Sequence, residues 1–172
     1  MMRRRYGLWR VGLVLAGLLL CVGCGEPQRP EVTGGQVAAG APPDFTLKDL
    51  QGHGWTLGEQ RGKPVLILFT TTWCPSCRAE IPHYKAIYDH YRPRGLEMVN
   101  IDIQESPEKV SRFADGHGLP YRILLDETGE VAQAYGVVGV PFAALLDRDG
   151  QVVCLPCPNL DAELAALYSA AP

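Results

Sequence analysis

The chain has 172 residues, of which 47% are hydrophobic, and a formal net charge of −3. This composition is typical of a globular protein with enough apolar residues for a core, and it lacks the basic stripe of a nucleic-acid-binding protein. We therefore expect no nucleic-acid partner, and no motif in the sequence calls for a cofactor.

The first 23 residues have the pattern of a targeting segment. Four arginines lie between positions 3 and 10, and an apolar run of about a dozen residues follows, which is too short to span a bilayer comfortably. The run ends in Leu20-Cys21-Val22-Gly23-Cys24, which resembles a bacterial lipobox with Cys21 in place of the usual Leu. Cleavage after Gly23 and lipidation of Cys24 are predicted. An uncleaved N-terminal anchor is the alternative, and both place the domain outside the cytoplasm, on a membrane.

Cleavage would leave 149 residues with 12 basic and 19 acidic side chains, a net charge of −7. The predicted organisation is a lipoprotein-type signal peptide at 1–23, a lipid-anchored flexible linker at 24–42 and one domain at 43–172. The linker is rich in Gly, Pro and Ala and has no hydrophobic period. Because the domain is acidic, its membrane association would depend on the lipid alone.

Hydrophobic periodicity predicts regular structure from residue 43 onward. In chain order we expect a hairpin at 44–57, a buried strand at 65–71, a helix at 78–91, a buried strand at 96–103, a helix at 107–117 capped by Ser106, a strand at 121–125, a short helix at 130–135, strands at 142–147 and 151–155, and a helix at 160–168. This order predicts an α/β thioredoxin-like fold, in which a central mixed sheet is flanked by helices on both faces and carries an extra N-terminal hairpin.

The segment Trp73-Cys74-Pro75-Ser76-Cys77 follows the first buried strand and opens the first helix. Free N–H groups and the dipole at a helix N-terminus favour a cysteine thiolate, which is the nucleophilic form. The second cysteine, one helical turn later, can then close a disulfide. The order of strand, C-x-x-C and helix therefore predicts thiol–disulfide exchange rather than a structural disulfide or half of a zinc site.

A second pair, Cys154-Leu155-Pro156-Cys157, lies at the end of a predicted strand. Positions i and i+3 of an extended strand are about 10 Å apart, so a disulfide needs a bend, which Pro156 could supply. A small structural disulfide is the favoured interpretation, with an accessory redox pair as the alternative. A metal site is the least favoured, since the two C-x-x-C pairs are 77 residues apart. His53, His83, His90 and His117 lack ligand spacing and are expected on the surface.

The sequence resembles the TlpA/ResA-like, redoxin/AhpC-TSA-like branch of the thioredoxin superfamily, which contains anchored extracytoplasmic thiol–disulfide oxidoreductases. The resemblance extends from residue 43 to about 168 and rests on segments 43–47, 73–82, 125–129, 135–141 and 146–150.

The resemblance implies roles for individual residues. Cys74 would attack and Cys77 resolve, while Glu80 would relay a proton beneath the thiols. Trp73, Pro75, Val140 and Pro141 would bind the substrate, with Pro141 in a cis peptide. Phe142 departs from the usual Thr after that proline, and Pro82 is expected to kink the helix.

The resemblance also implies partners. These are extracytoplasmic protein thiols and disulfides, such as those of apocytochrome c, and a membrane electron donor of the DsbD/CcdA type if the protein is a reductant. Reduction is favoured over oxidation, and a monomer is expected. Two alternatives are a peroxiredoxin-type thiol peroxidase, although Ile67 stands where the peroxidatic motif has proline, and a copper-binding thioredoxin-like chaperone, although such relatives have C-x-x-x-C.

Replacing Cys24 by Ser should abolish incorporation of labelled lipid and leave an uncleaved precursor, because the thioether-forming side chain is lost. Metabolic lipid labelling and the mass of the membrane-bound protein measure this. The Cys21→Ser variant is the control and should be processed normally. Normal processing of Cys24→Ser would contradict lipidation at this residue.

Overall fold

The computed structural model describes residues 42–169. Seven strands form one mixed sheet with the order β2-β1-β5-β4-β3-β6-β7. The strands are β1 Thr46–Asp49, β2 Gly54–Thr56, β3 Val65–Thr70, β4 Glu97–Ile103, β5 Arg122–Asp126, β6 Phe142–Leu146 and β7 Val152–Cys154. The predicted signal peptide, the lipidation site at Cys24 and the linker up to residue 41 lie outside the described residues.

β3 is in the interior of the sheet because its sequence is continuously apolar. It pairs in parallel with β4 and antiparallel with β6. Its alternate residues enter two cores: Ile67 and Phe69 pack on one face, and Leu66 and Leu68 on the other. A strand buried on both faces needs this uninterrupted hydrophobic pattern.

Four α-helices cover the sheet within the described residues: α1 Pro75–Tyr91, α2 Pro107–His117, α3 Glu130–Ala134 and α4 Leu160–Ser169. Helices α1 and α4 bury Tyr84, Ile87 and Leu164 against the face of Leu66 and Leu68. Helix α3 contributes Ala132 to the core on the opposite face. The thioredoxin-like α/β fold predicted from the sequence is confirmed.

The N-terminal hairpin predicted at 44–57 is present and extends the sheet. Thr46 pairs with Thr56, and Lys48 of the same strand pairs with Leu125 of β5. Aromatic packing holds the segment before the hairpin: Tyr135 donates from its hydroxyl to the Pro43 carbonyl at 3.1 Å, and its ring lies 5.8 Å from that of Phe45. The hairpin is thereby attached both to a sheet edge and to a core side chain.

Two details of the helices differ from the sequence-based expectation. Helix α1 begins at Pro75, three residues before the predicted Arg78, because proline is favoured in the first turn. Ser106 precedes α2 as expected, but its side chain makes no capping hydrogen bond; its carbonyl instead accepts from the Lys109 and Val110 amides. Helix α1 runs through Pro82 for 17 residues.

The second C-x-x-C pair forms a disulfide at one edge of the sheet. Cys154 ends β7 and pairs with Leu145, while the Cys157 amide donates to the Ala143 carbonyl at 3.1 Å. Both cysteines are half-buried. The loop is therefore held to β6 by backbone hydrogen bonds as well as by the disulfide. None of the helices within residues 42–169 is long and apolar enough to cross a bilayer.

Replacing both Cys154 and Cys157 by Ser should lower the free energy of unfolding by no more than about 2 kcal/mol, because a four-residue ring restricts the unfolded chain only slightly. Chemical denaturation, compared with the parent protein under oxidising conditions, measures this. A loss well above that value would show that the disulfide holds more of the structure than its own loop.

Candidate active site

The reactive cysteine pair lies where β3 passes into α1. Cys74 is the N-cap residue of α1, and the Cys77 amide donates to the Cys74 sulfur at 3.1 Å. Cys74 and Cys77 form a disulfide, with their Cα atoms 5.3 Å apart. The sulfur of Cys74 therefore occupies the place of a capping oxygen and receives a helix N–H, which favours negative charge on it in the reduced protein.

Both cysteines of this site are buried, although the residue before them is exposed. Cys74 and Cys77 are each only 4% exposed, whereas the neighbouring Trp73 is 63% exposed. The Cys74 sulfur lies 3.6 Å from the Val140 carbonyl oxygen, so the chain before β6 covers it. Trp73 is thus a surface residue beside the disulfide.

The Val140–Pro141 peptide bond is cis, in agreement with the expectation from the resemblance. Pro141 is half-buried and immediately precedes β6. Phe142, the departure from the usual Thr, pairs with Phe69 across the sheet, and their ring centroids are 5.9 Å apart in an edge-to-face arrangement. The larger side chain at this position is therefore anchored by an aromatic contact.

Glu80 does not lie buried beneath the disulfide but is half-exposed, at 46% of its side chain. Its carboxylate accepts from His83 Nδ1 at 3.0 Å, and the other ring nitrogen of His83 lies 3.0 Å from Asp161 Oδ1. The hydrogen bond with Asp161, and then that with Glu80, raises the pKa of His83 above its usual 6.5. A protonated His83 thus links α1 to the start of α4.

These side chains line a groove beside the disulfide. The groove contains residues from α1, from the start of β6 and from the loop before α4: Ser76, Glu80, Pro141, Phe142, Cys157 and Asp161. It extends from the residue between the active cysteines to the second disulfide.

The sequence predicted Cys74, Cys77, Glu80 and Pro141, and the structure brings them to one end of the sheet. The sequence did not predict the hydrogen bond between His83 and Asp161, which are 78 residues apart. The spacing of Glu80 and His83, one turn apart on a helix, was the only available signal. Within residues 42–169 there is no cluster of three or more side chains able to bind a metal.

Replacing Asp161 by Asn should lower the pKa of His83 toward 6.5, since the strongest of its hydrogen bonds to a carboxylate is lost. Stabilisation by the bridge is complete below pH 6.5 and disappears as the pH rises through the raised pKa of the folded state. NMR titration of the His83 ring measures the pKa, with Glu163→Gln on the same helix as control. An unchanged pKa in Asp161→Asn would contradict the bridge.

Comparison with known proteins agrees with this site. The AhpC/TSA family model matches residues 39–155. The thiol-disulfide oxidoreductase ResA of Geobacillus kaustophilus is 38% identical over 117 residues, which cover 67% of each chain.

Among solved structures, a secreted disulfide oxidoreductase of Mycobacterium tuberculosis is 25% identical with a TM-score of 0.63, over 72% of this chain and 94% of that one. The thioredoxin domain of a Bacteroides vulgatus thiol-disulfide oxidoreductase, 23% identical, has the same fold with a TM-score of 0.68, over 77% of this chain and 97% of that one. The chain therefore belongs to the AhpC/TSA family and is a thiol–disulfide oxidoreductase with a thioredoxin-like fold.

Proposed function

We propose that the protein reduces disulfides of extracytoplasmic client proteins from a lipid anchor on the membrane. The main support is the position of Cys74 at the N-cap of α1, where its sulfur accepts a hydrogen bond from the Cys77 amide. This contact is worth more to a thiolate than to a disulfide sulfur, because hydrogen bonds to charged acceptors are stronger. It stabilises the reduced, nucleophilic form of the pair.

The reaction proceeds in two exchanges. The Cys74 thiolate attacks one sulfur of the client disulfide, the client S–S bond breaks, and its other sulfur leaves as a thiolate. Cys77 then loses its proton and attacks Cys74, which releases the second client thiol and forms the Cys74–Cys77 disulfide. Two electrons pass to the client in total. A membrane dithiol donor of the DsbD/CcdA type would restore the pair by the reverse exchange.

Exposed apolar side chains next to Cys74 support binding of a client polypeptide. Trp73 is 63% exposed and Val138 is 99% exposed. Trp73 directly precedes Cys74, and Val138 lies two residues before Val140. The Cys74 sulfur and the Val140 carbonyl oxygen are 3.6 Å apart. Large exposed apolar residues around a covered reactive atom are typical of a docking surface.

Glu80 is proposed to exchange protons with the thiols through the groove that it shares with Ser76 and Pro141. Its hydrogen bond to His83 supplies a second group that can hold a proton. The disulfide between Cys154 and Cys157 is proposed to be structural, since it closes a short loop at a sheet edge.

The location outside the cytoplasm is supported by the basic and apolar N-terminal segment that ends at Cys24. It is also supported by the second disulfide, Cys154–Cys157, since disulfides persist in oxidising compartments. Apocytochrome c is the kind of client proposed, because haem attachment requires reduced cysteines.

The Cys77→Ser variant should accumulate mixed disulfides with clients, because Cys74 can still attack but cannot be resolved. Cys74→Ser should trap none. Non-reducing gels of membrane fractions, followed by mass spectrometry of the trapped proteins, measure this. Trapping by Cys74→Ser alone would reverse the roles of the two cysteines.

Two further assays distinguish the alternatives. Turnover of hydrogen peroxide by the parent at a rate above insulin reduction would favour a peroxidase. Tight Cu(I) binding by the parent that is lost in both variants would favour a copper chaperone. Trapping of periplasmic proteins that contain reducible disulfides is the expected result.

A further inference from the structure

A carboxylate from the loop between β4 and α2 holds the segment that leads to Cys74. Glu105 accepts from the Thr72 amide at 2.5 Å and from the Thr72 hydroxyl at 2.7 Å. Its side chain is only 5% exposed and also forms an ion pair with Lys109. Thr72 is 6% exposed and lies two residues before Cys74. The Cys74 amide in turn donates to the Thr71 carbonyl at 3.3 Å.

A second carboxyl group lies beside Glu105. Asp102 is at the carboxyl end of β4, is 3% exposed, and its Oδ1 atom has no hydrogen-bond partner in the described structure. Its neighbours on the adjoining strands, Thr70 and Leu125, carry no charge. Burial, and then the charge of Glu105, raises the pKa of Asp102 to about 8, while Lys109 opposes this shift. Asp102 is therefore protonated at neutral pH and can donate to Glu105.

We propose that Asp102 and Glu105 form a positioning pair for thiol–disulfide exchange, in which Glu105 holds Thr72 and so Cys74, and the proton on Asp102 keeps Glu105 in that place. Neither side chain touches the reacting sulfurs in the described contacts. Their effect on the reaction passes through the backbone from Thr72 to Cys74. The proposal rests on the exchange reaction at Cys74 and not on the identity of the client.

Ionisation of Asp102 would weaken this arrangement. Two negative carboxylates in a buried site repel each other, and among residues 42–169 the half-exposed Lys109 is the cation that compensates. Glu105 would then move toward Lys109 and solvent and release one or both donors of Thr72. Because Asp102 ionises as the pH rises through about 8, the loss of positioning occurs on the alkaline side.

The Asp102→Asn variant separates this effect from the titration of the cysteines. Its amide keeps the size of Asp102 and a donor for Glu105 but has no proton to lose. The measurement is kcat/KM for insulin reduction, with dithiothreitol as electron source, for parent and variant between pH 6 and pH 9. Taking the ratio of variant to parent cancels the titration of cysteine and dithiothreitol thiols that the two assays share.

We expect a ratio near one up to neutral pH and a rise of up to about tenfold near pH 9, where about nine tenths of Asp102 would be ionised in the parent. Glu105→Gln should lower kcat/KM about tenfold at neutral pH, the equivalent of one charge-assisted hydrogen bond. Glu108→Gln, an exposed change on α2, is the matched control and should leave kcat/KM unchanged.

A ratio that stays constant across the pH range overturns the proposal, whether or not Asp102→Asn changes the stability. Circular dichroism at each pH confirms that both proteins are folded during the assay. Should Glu105→Gln fail to fold, the ratio for Asp102→Asn decides alone. Failure to trap clients with Cys77→Ser would reject the proposed function without affecting this ratio, because insulin reduction depends only on exchange at Cys74.

Discussion

The interior position of β3 determines where the chemistry of this protein takes place. β3 pairs in parallel with β4 and antiparallel with β6. The carboxyl ends of β3 and β4 and the amino end of β6 therefore meet at the same end of the sheet. The chain places Cys74 after β3, Glu105 after β4 and Pro141 before β6. Strand pairing thus brings three segments that are distant in sequence into one site.

At this end of the sheet, polar groups surround an otherwise apolar centre. Glu105 is satisfied by Thr72 and Lys109, whereas Asp102 keeps an oxygen without a partner in the described structure. Ionisation of a buried carboxyl group of this kind is unfavourable in free energy, so the group stays protonated at neutral pH. On the other side of the site, the half-exposed His83 bridge joins α1 to α4 and is likewise lost as the pH rises, since its stabilising form is the protonated cation.

The two disulfides show that the same C-x-x-C spacing can occur in two different local structures. In the first pair, the amide of the second cysteine donates to the sulfur of the first, at the start of a 17-residue helix. In the second pair, the amide of Cys157 donates to the Ala143 carbonyl instead. The same spacing therefore gives a sulfur with a helix N–H in one case and a backbone-anchored loop at a sheet edge in the other.

Local sequence patterns were sufficient to predict the strands, the helices and the cysteine pair of α1, because alternation and helical periodicity report which faces are buried. They also indicated the N-terminal hairpin. They could not predict that Cys74 is covered by Val140, that His83 meets Asp161, or that Glu105 holds Thr72. Those contacts depend on which strands are neighbours in the sheet, and neighbourhood is decided by the packing of the whole chain rather than by any short segment.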